Sequence, residues 1–144
     1  FIERAQRDGA RLVCGGLRVV DGECARGFFV QPTIFDRCSP DMEIVREEVF
    51  GPVVAVQTFR TEAEAIAMAN DTRYGLAAAV WTRDLTRGHR VAQAMKVGLA
   101  WVNCWFLRDL RTPFGGSGLS GIGREGGRHS LHFYTEPTNV CIKL

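Results

Sequence analysis

The side chains of this sequence that could contact a small ligand fall in two segments. Glu48 and Phe50 belong to the first, Glu-Glu-Val-Phe-Gly-Pro, whose Gly-Pro ends a helical turn before a strand-like run. Loops that enter or leave a parallel sheet commonly bind ligands. The alternative is that Glu48 is a surface acid and Phe50 a core residue, as such residues usually are.

The second segment is residues 105–111, Trp-Phe-Leu-Arg-Asp-Leu-Arg, which Phe114 follows. Arg108 stands there after apolar residues, and a guanidinium in apolar surroundings is costly unless it meets an anion. Its planar fork fits a carboxylate with two hydrogen bonds. Two interpretations stay open: Arg108 binds a ligand carboxylate, or it pairs with Asp109 or another acid of the chain.

Two other patterns do not predict a ligand site. Residues 116–121, Gly-Ser-Gly-Leu-Ser-Gly, match G-x-G-x-x-G, but Pro113 interrupts any preceding strand and the next predicted helix begins near residue 124. We therefore expect a glycine-dependent loop rather than a phosphate cradle. The three histidines suggest no complete ligand set, so no metal site is predicted.

The cysteines do not form a recognisable site. The chain has five, an odd number, and none stands at C-x-x-C spacing: Cys14, Cys24, Cys38, Cys104 and Cys141. We expect reduced, partly buried thiols in a cytoplasmic protein.

Composition narrows the class of protein. A chain of 144 residues fits one domain, and a net charge of +2 with scattered basic residues does not indicate nucleic acid or a membrane surface as a partner. No apolar run approaches the ~20 residues of a spanning helix. The first residue is Phe1, not Met, and residues 1–10 are typical of a helix already under way, so we expect a fragment or trimmed product.

Strands and helices alternate along the chain. Apolar runs predict buried strands at 53–58, 77–81 and 99–103. Helices are predicted at 61–70, where Thr61 and Glu64 fit a capping box, and at 84–96, where Asp84 is the N-cap and Gly98 takes the C′ position. A short strand is expected at 11–14, an extended edge segment at 28–35, a last helix at 124–134 and a terminal strand at 138–144. The pattern predicts an α/β fold with one mainly parallel sheet and flanking helices.

Three motifs in this order resemble the C-terminal part of the aldehyde dehydrogenase superfamily. They are Glu-Glu-Val-Phe-Gly-Pro at 47–52, Thr-Pro-Phe-Gly-Gly at 112–116 and Ser-Gly-Ile-Gly-Arg-Glu at 120–125. The resemblance extends from about residue 10 to residue 144. Residues 101–144 are most similar to the muconic-semialdehyde dehydrogenases, which oxidise 2-hydroxy- or 2-aminomuconate semialdehyde.

The resemblance implies roles for the four candidate residues. Glu48 would accept hydrogen bonds from the nicotinamide ribose hydroxyls of NAD or NADP, and Phe50 would pack beside the nicotinamide. Arg108 and Phe114 would line the aldehyde tunnel, and Arg108 would bind the carboxylate of the substrate. A homo-oligomer, dimer or tetramer, is also implied, with residues 1–137 in the catalytic domain and residues 138–144 as its oligomerisation strand.

The family's nucleophilic cysteine stands in Gly-Gln-x-Cys, and none of the five cysteines here has that context. We therefore predict no catalytic nucleophile or general base within the chain, and no activity of the 144 residues alone. Two functions stay open. The chain is the C-terminal part of a semialdehyde dehydrogenase, or it is a non-catalytic truncated relative that acts as a binding or assembly module.

Overall fold

The computed structural model describes residues 1–144, which form two compact units, Phe1–Glu64 and Ala65–Leu144. The elements in chain order are α1 (Ile2–Arg7), β1 (Arg11–Cys14), a 3-10 helix (Gly22–Arg26), β2 (Thr33–Asp36), α2 (Glu43–Arg46), β3 (Val53–Ala55), α3 (Glu62–Asn70), β4 (Tyr74–Gly75), β5 (Ala77–Val80), α4 (Leu85–Ala94), β6 (Leu99–Val102), β7 (Ser117–Gly118) and α5 (Arg128–Tyr134). None of the helices is both long and apolar enough to cross a membrane.

The first unit is built on a three-stranded sheet with the order β1-β2-β3. β2 is antiparallel to β1 and parallel to β3, with Thr33 opposite Val53. Alternate side chains of β2 point to opposite faces, so Phe35 is fully buried while Ile34 is 37% exposed. Phe35 belongs to a buried core that also contains residues of α1, of α2 and of the connecting loops: Ala5, Ala10, Cys38, Met42 and Ile44.

Ion pairs at the surface link the elements of this unit. Arg4 of α1 binds Glu43 of α2 through two nitrogens, and Arg11 of β1 binds Asp36 of β2 in the same way. The hydrogen bonds from these arginines lower the pKa of both carboxyl groups. α2, which leads directly into the Glu48 segment, is therefore held to α1.

The second unit contains a βαβ arrangement. β5 and β6 pair in parallel, with Ala77 opposite Leu99, and α4 connects them. Asp84 caps α4 as predicted, because its carboxylate accepts from the amide of Arg87 at 3.0 Å. A second two-stranded pair, β4 with β7, is antiparallel.

The start of α3 also follows the sequence prediction. Thr61 accepts from the amide of Glu64 at 3.2 Å. The carboxylate of Glu64 reaches back, but to the amide of Arg60 at 2.7 Å rather than to that of Thr61. The reciprocal pattern of a capping box is thus kept, displaced by one residue.

The α/β class is confirmed, but the prediction of one shared sheet is wrong for the chain described. β3 pairs with β2 in the first unit, whereas β5 and β6 pair with each other in the second. The predicted strands are also shorter than expected and are not covered on both faces, since Val54 is 55% exposed. Apolar runs correctly predicted where strands form. They do not determine which strands pair, because pairing depends on residues far apart in the sequence.

The prediction that Gly98 is the C′ residue of α4 is wrong. α4 ends at Ala94 with Met95 as its C-cap, so Gly98 lies beyond the helix end. A Cβ atom at Gly98 would stand 1.6 Å from the carbonyl oxygen of Gly115. Glycine is required here because two stretches of backbone meet closely.

Residues 138–144 have no regular secondary structure in the single chain. Alternate apolar side chains there are exposed, with Val140, Ile142 and Leu144 at 74%, 77% and 114%. That alternation is typical of a strand, and its pairing with another subunit stays a prediction.

Candidate functional site

Glu48 and Phe50 lie in the connection between α2 and β3. α2 ends at Arg46, and the amide of the next residue, Glu47, closes its last turn on the carbonyl of Glu43 at 2.9 Å. The backbone then turns through Gly51-Pro52, whose proline carbonyl accepts from the amide of Thr33 at 2.8 Å. The connection is thus fixed at both ends, by a helix and by the sheet, while the side chain of Glu48 is exposed.

Phe50 is held in an unusual conformation. Its φ is +50°, in the left-handed region that bulky residues avoid at a cost of about 1–3 kcal/mol. Its side chain is 92% exposed. The alternative that Phe50 is a core residue is therefore wrong for this chain, because its ring lies outside the core of its unit.

The loop that carries Arg108 is organised by aromatic side chains. Trp101, at the buried side of β6, donates its indole N–H to the carbonyl of Leu107 at 2.8 Å. Its ring lies 5.2 Å from that of Trp105 and 6.4 Å from that of Phe106, centroid to centroid. These contacts fold the loop back over the end of β6, which places Arg108 just after the anchored carbonyl.

The end of β6 is itself fixed to the end of β5. The amide side chain of Asn103 accepts from the backbone N–H of Thr82 at 2.8 Å and donates to its carbonyl at 2.7 Å. Asn103 has a φ of +54°, which turns the chain out of the strand and into the aromatic loop. The carboxyl ends of the parallel strands are therefore rigid where the loop departs.

Arg108 and Phe114 are brought together. The guanidinium carbon of Arg108 lies 3.9 Å from the centre of the Phe114 ring. Its Nη2 donates to Oε1 of Glu125 at 2.8 Å, and the arginine side chain is 26% exposed. Of the two interpretations, the single chain shows the internal pair; the binding of a ligand carboxylate stays a prediction.

The partner of Arg108 is Glu125, and not the adjacent Asp109. Asp109 binds Arg111 instead, accepting from its backbone and side-chain N–H groups at 2.9 Å, and these bonds lower the pKa of the carboxyl group. Arg111 is 87% exposed, so that pair is a surface feature. The loop thus holds one solvated arginine and one that is largely covered.

Glu125 is the residue that the sequence analysis missed. It is the last residue of the motif at 120–125, for which no role was predicted. It is brought to Arg108 by an antiparallel bridge to Phe114, in which each residue's amide donates to the other's carbonyl, at 2.7 Å and 2.8 Å. One signal was available, since Glu125 is the only acid between residues 112 and 127.

These two segments offer an exposed carboxylate with an exposed aromatic ring, and a guanidinium on an aromatic ring. Neither supplies a nucleophile. Cys38 is buried, which raises the pKa of its thiol, and the other four thiols are free but stand outside both segments as defined, with Cys104 just before the aromatic loop. The arrangement can bind and orient ligands; it does not by itself break or form a bond.

Comparison with known proteins identifies the family. The model of the aldehyde dehydrogenase family matches residues 1–140. A 2-aminomuconic 6-semialdehyde dehydrogenase of a Pseudomonas species is 55% identical over all of this chain and 30% of its own length, and a 2-hydroxymuconic semialdehyde dehydrogenase of Pseudomonas putida is 52% identical over the same shares.

Solved structures agree with this. The aldehyde dehydrogenase of Mycobacterium tuberculosis, crystallised with NAD+, is 44% identical and superposes with a TM-score of 0.87 over 94% of this chain and 27% of its own. The chain therefore spans about 30% of the length of the curated relatives it matches. With the three motifs and the family match over 140 residues, the chain belongs to the aldehyde dehydrogenase family.

Proposed function

We propose that the chain is the C-terminal part of an NAD(P)-dependent aldehyde dehydrogenase that oxidises a carboxylate-bearing semialdehyde of the muconic type to the acid. The observation that carries the proposal is Arg108, a largely covered cation on the Phe114 ring in an aromatic loop. An arginine so placed is suited to an anionic ligand. The names of the relatives at 55% and 52% identity support this substrate class.

The first segment fits a nicotinamide dinucleotide. Glu48 is exposed, and its two carboxylate oxygens can accept from both hydroxyls of a ribose diol. Phe50 presents a ring that is 92% exposed, at a cost in backbone conformation that a flat apolar ligand against the ring would help to offset. NAD or NADP, when bound, would accept the hydride removed from the aldehyde carbon.

In the reaction, Arg108 would orient the substrate rather than act on the aldehyde. A carboxylate held by its guanidinium sets the direction in which the rest of a rigid, conjugated substrate extends. The ring of Phe114 packs against one face of the guanidinium and so limits the directions from which the anion can approach. The thiolate nucleophile and the general base would come from the part of the protein outside these 144 residues.

We also propose that the full-length protein is a cytoplasmic homo-oligomer. The five free thiols are consistent with a reducing compartment. The alternating apolar residues at 138–144 could add a strand to another subunit's sheet. Deletion of residues 140–144 should lower the mass of the full-length protein in sedimentation, and an unchanged mass would refute the strand's role.

The substrate proposal is tested by replacing Arg108 in the full-length enzyme. Arg108→Ala should lower kcat/KM for a muconic semialdehyde by about 10- to 100-fold, because a charge-assisted contact is worth roughly 1.5–3 kcal/mol. The rate with a neutral aldehyde of similar size should change much less. Arg108→Lys should recover only part of the loss, since an ammonium group lacks the planar fork.

Arg111→Ala is the matched control, because it removes the same charge from the same loop at a solvated position. It should leave the ratio of the two kcat/KM values nearly unchanged. Equal losses for both substrates in Arg108→Ala would show that Arg108 only maintains the loop. An enzyme without measurable oxidation of any aldehyde would favour the non-catalytic alternative.

A further inference from the structure

Arg108 is held by two groups that are fixed to each other. The Phe114 ring lies under its guanidinium at 3.9 Å, and the Glu125 carboxylate binds its Nη2 at 2.8 Å. Phe114 and Glu125 face each other across an antiparallel bridge closed by two backbone hydrogen bonds. The backbone alone therefore keeps the carboxylate of Glu125 within reach of any cation on that ring.

The pair is only partly sheltered. The side chain of Arg108 is 26% exposed and that of Glu125 is 48% exposed, so water and solutes reach the acid more easily than the base. The recorded bond uses one nitrogen of the guanidinium. A contact of this kind is weaker than a bidentate one, and an exposed acid can turn away from it at modest cost.

An anionic substrate and Glu125 would compete for the same cation. Two carboxylates on one guanidinium repel each other, so each weakens the binding of the other. The adjacent acid, Asp109, is engaged with Arg111 instead. A neutral aldehyde would leave the pair undisturbed.

We propose that Glu125 is a specificity-determining residue: it is the resident counter-ion of Arg108 and sets the affinity for carboxylate-bearing substrates by competing with them for the guanidinium. The inference rests on the proposed role of Arg108 in binding a substrate carboxylate. Glu125 thereby favours substrates whose carboxylate can form the bidentate contact over those that approach with weaker or misplaced charge.

The test measures equilibrium binding, so that any effect of Glu125 on turnover does not enter. The dissociation constant of muconate, a dicarboxylate that cannot be oxidised as an aldehyde, is measured by calorimetry on the full-length enzyme. The proteins are wild type, Glu125→Gln, Arg108→Gln and the double variant. Glutamine keeps the size and the backbone bonds of residue 125 while removing its charge.

Glu125→Gln should tighten muconate binding by about two- to fivefold, as expected for removal of a partly exposed competing ion pair. The same substitution should have no effect in the Arg108→Gln background, because the competition acts through the guanidinium. Glu136→Gln removes one negative charge from an exposed position in the same unit and should leave binding unchanged.

Each contrary outcome has a distinct meaning. If Arg108→Gln leaves muconate affinity unchanged, the proposed substrate role of Arg108 is wrong. If Arg108→Gln weakens binding but Glu125→Gln does not tighten it, the substrate role stands and the competition is wrong. If Glu125→Gln tightens binding equally in both backgrounds, long-range charge explains the effect and the inference is overturned. Should Glu125→Gln fail to fold, Glu125→Asp, which retracts the carboxylate by one methylene, should tighten binding to a smaller extent, and no tightening would overturn the inference.

Discussion

Phe50 and Phe114 are both aromatic residues proposed to face ligands, but the chain treats them in opposite ways. Phe50 is 92% exposed and held at a φ of +50°. Phe114 is half-buried and carries the guanidinium of Arg108 at 3.9 Å. The Phe50 ring is therefore exposed surface that a ligand could cover, whereas Arg108 already holds an ion pair with Glu125.

The difference has an energetic consequence. A cofactor ring placed on Phe50 would bury apolar area, and this burial would contribute directly to the free energy of cofactor binding. A carboxylate that binds Arg108 forms a charge-assisted contact but weakens the bond between Arg108 and Glu125. The net free energy of binding is therefore the difference between these two contributions. We expect substitutions in the first segment to change cofactor affinity, and those in the second to change selectivity among substrates.

The largest effect is expected at Glu48. In the full-length enzyme, Glu48→Gln should raise KM for the nicotinamide cofactor by about 10- to 100-fold, because it removes a charged acceptor of hydrogen bonds. Glu47→Gln, next to it in the same motif, is the control and should have a much smaller effect. The ratio of kcat/KM for charged and neutral aldehydes should not move in either variant; a change in that ratio would mean that the two segments do not act separately.

A second prediction compares the backbone of the two segments. Gly98→Ala should lower the free energy of unfolding by about 1–3 kcal/mol, because its Cβ would meet the carbonyl oxygen of Gly115, next to Phe114. At Gly51, next to Phe50, the nearest atom to an added Cβ is 4.0 Å away, so Gly51→Ala should be close to neutral. Denaturant unfolding of the two variants measures this, and equal destabilisation would show that the close approach at Gly98 is not what requires glycine.

The smallest effect concerns the support of the first segment. The hydrogen bond from Arg4 lowers the pKa of Glu43, so the folded pKa lies below the unfolded value of about 4.3. The pair therefore contributes stability above that value and loses it as the pH falls through the lower folded pKa.

Glu43→Gln should thus lower the melting temperature at pH 7 by about 2 °C or less, since the pair is exposed. The difference from wild type should shrink as the pH falls from 7 through the lowered folded pKa of Glu43. Thermal melts over this pH range measure it, with Glu136→Gln as the control. A difference that grew on acidification would contradict the assigned role of the pair.

Local features of the fold were predictable from the sequence, and long-range ones were not. Asp84 and Thr61 were correctly identified as helix caps because a cap depends on residues three positions away. The reason for Gly98 was wrong because it depends on Gly115, which is distant in the sequence. Strand pairing failed for the same reason, since apolar runs of similar composition do not specify their partners.

The candidate site shows the same limit. Arg108 and Phe114 were identified because their types and positions match the family's motifs, and the structure brings them together. The alternative of an internal acid was also open, but Glu125 could not be chosen over Asp109 without the bridge between Phe114 and Glu125. The positive φ of Phe50 is likewise not specified by Phe-Gly-Pro on its own.

The most direct test of the account is a crystal structure of the full-length enzyme with a nicotinamide cofactor and muconate. We expect a muconate carboxylate within about 3 Å of two nitrogens of Arg108, with the Phe114 ring still packed against the guanidinium. We also expect that Glu125 has turned away from Nη2. A carboxylate bound elsewhere, with the bond between Arg108 and Glu125 intact, would contradict the proposal that Arg108 selects the substrate.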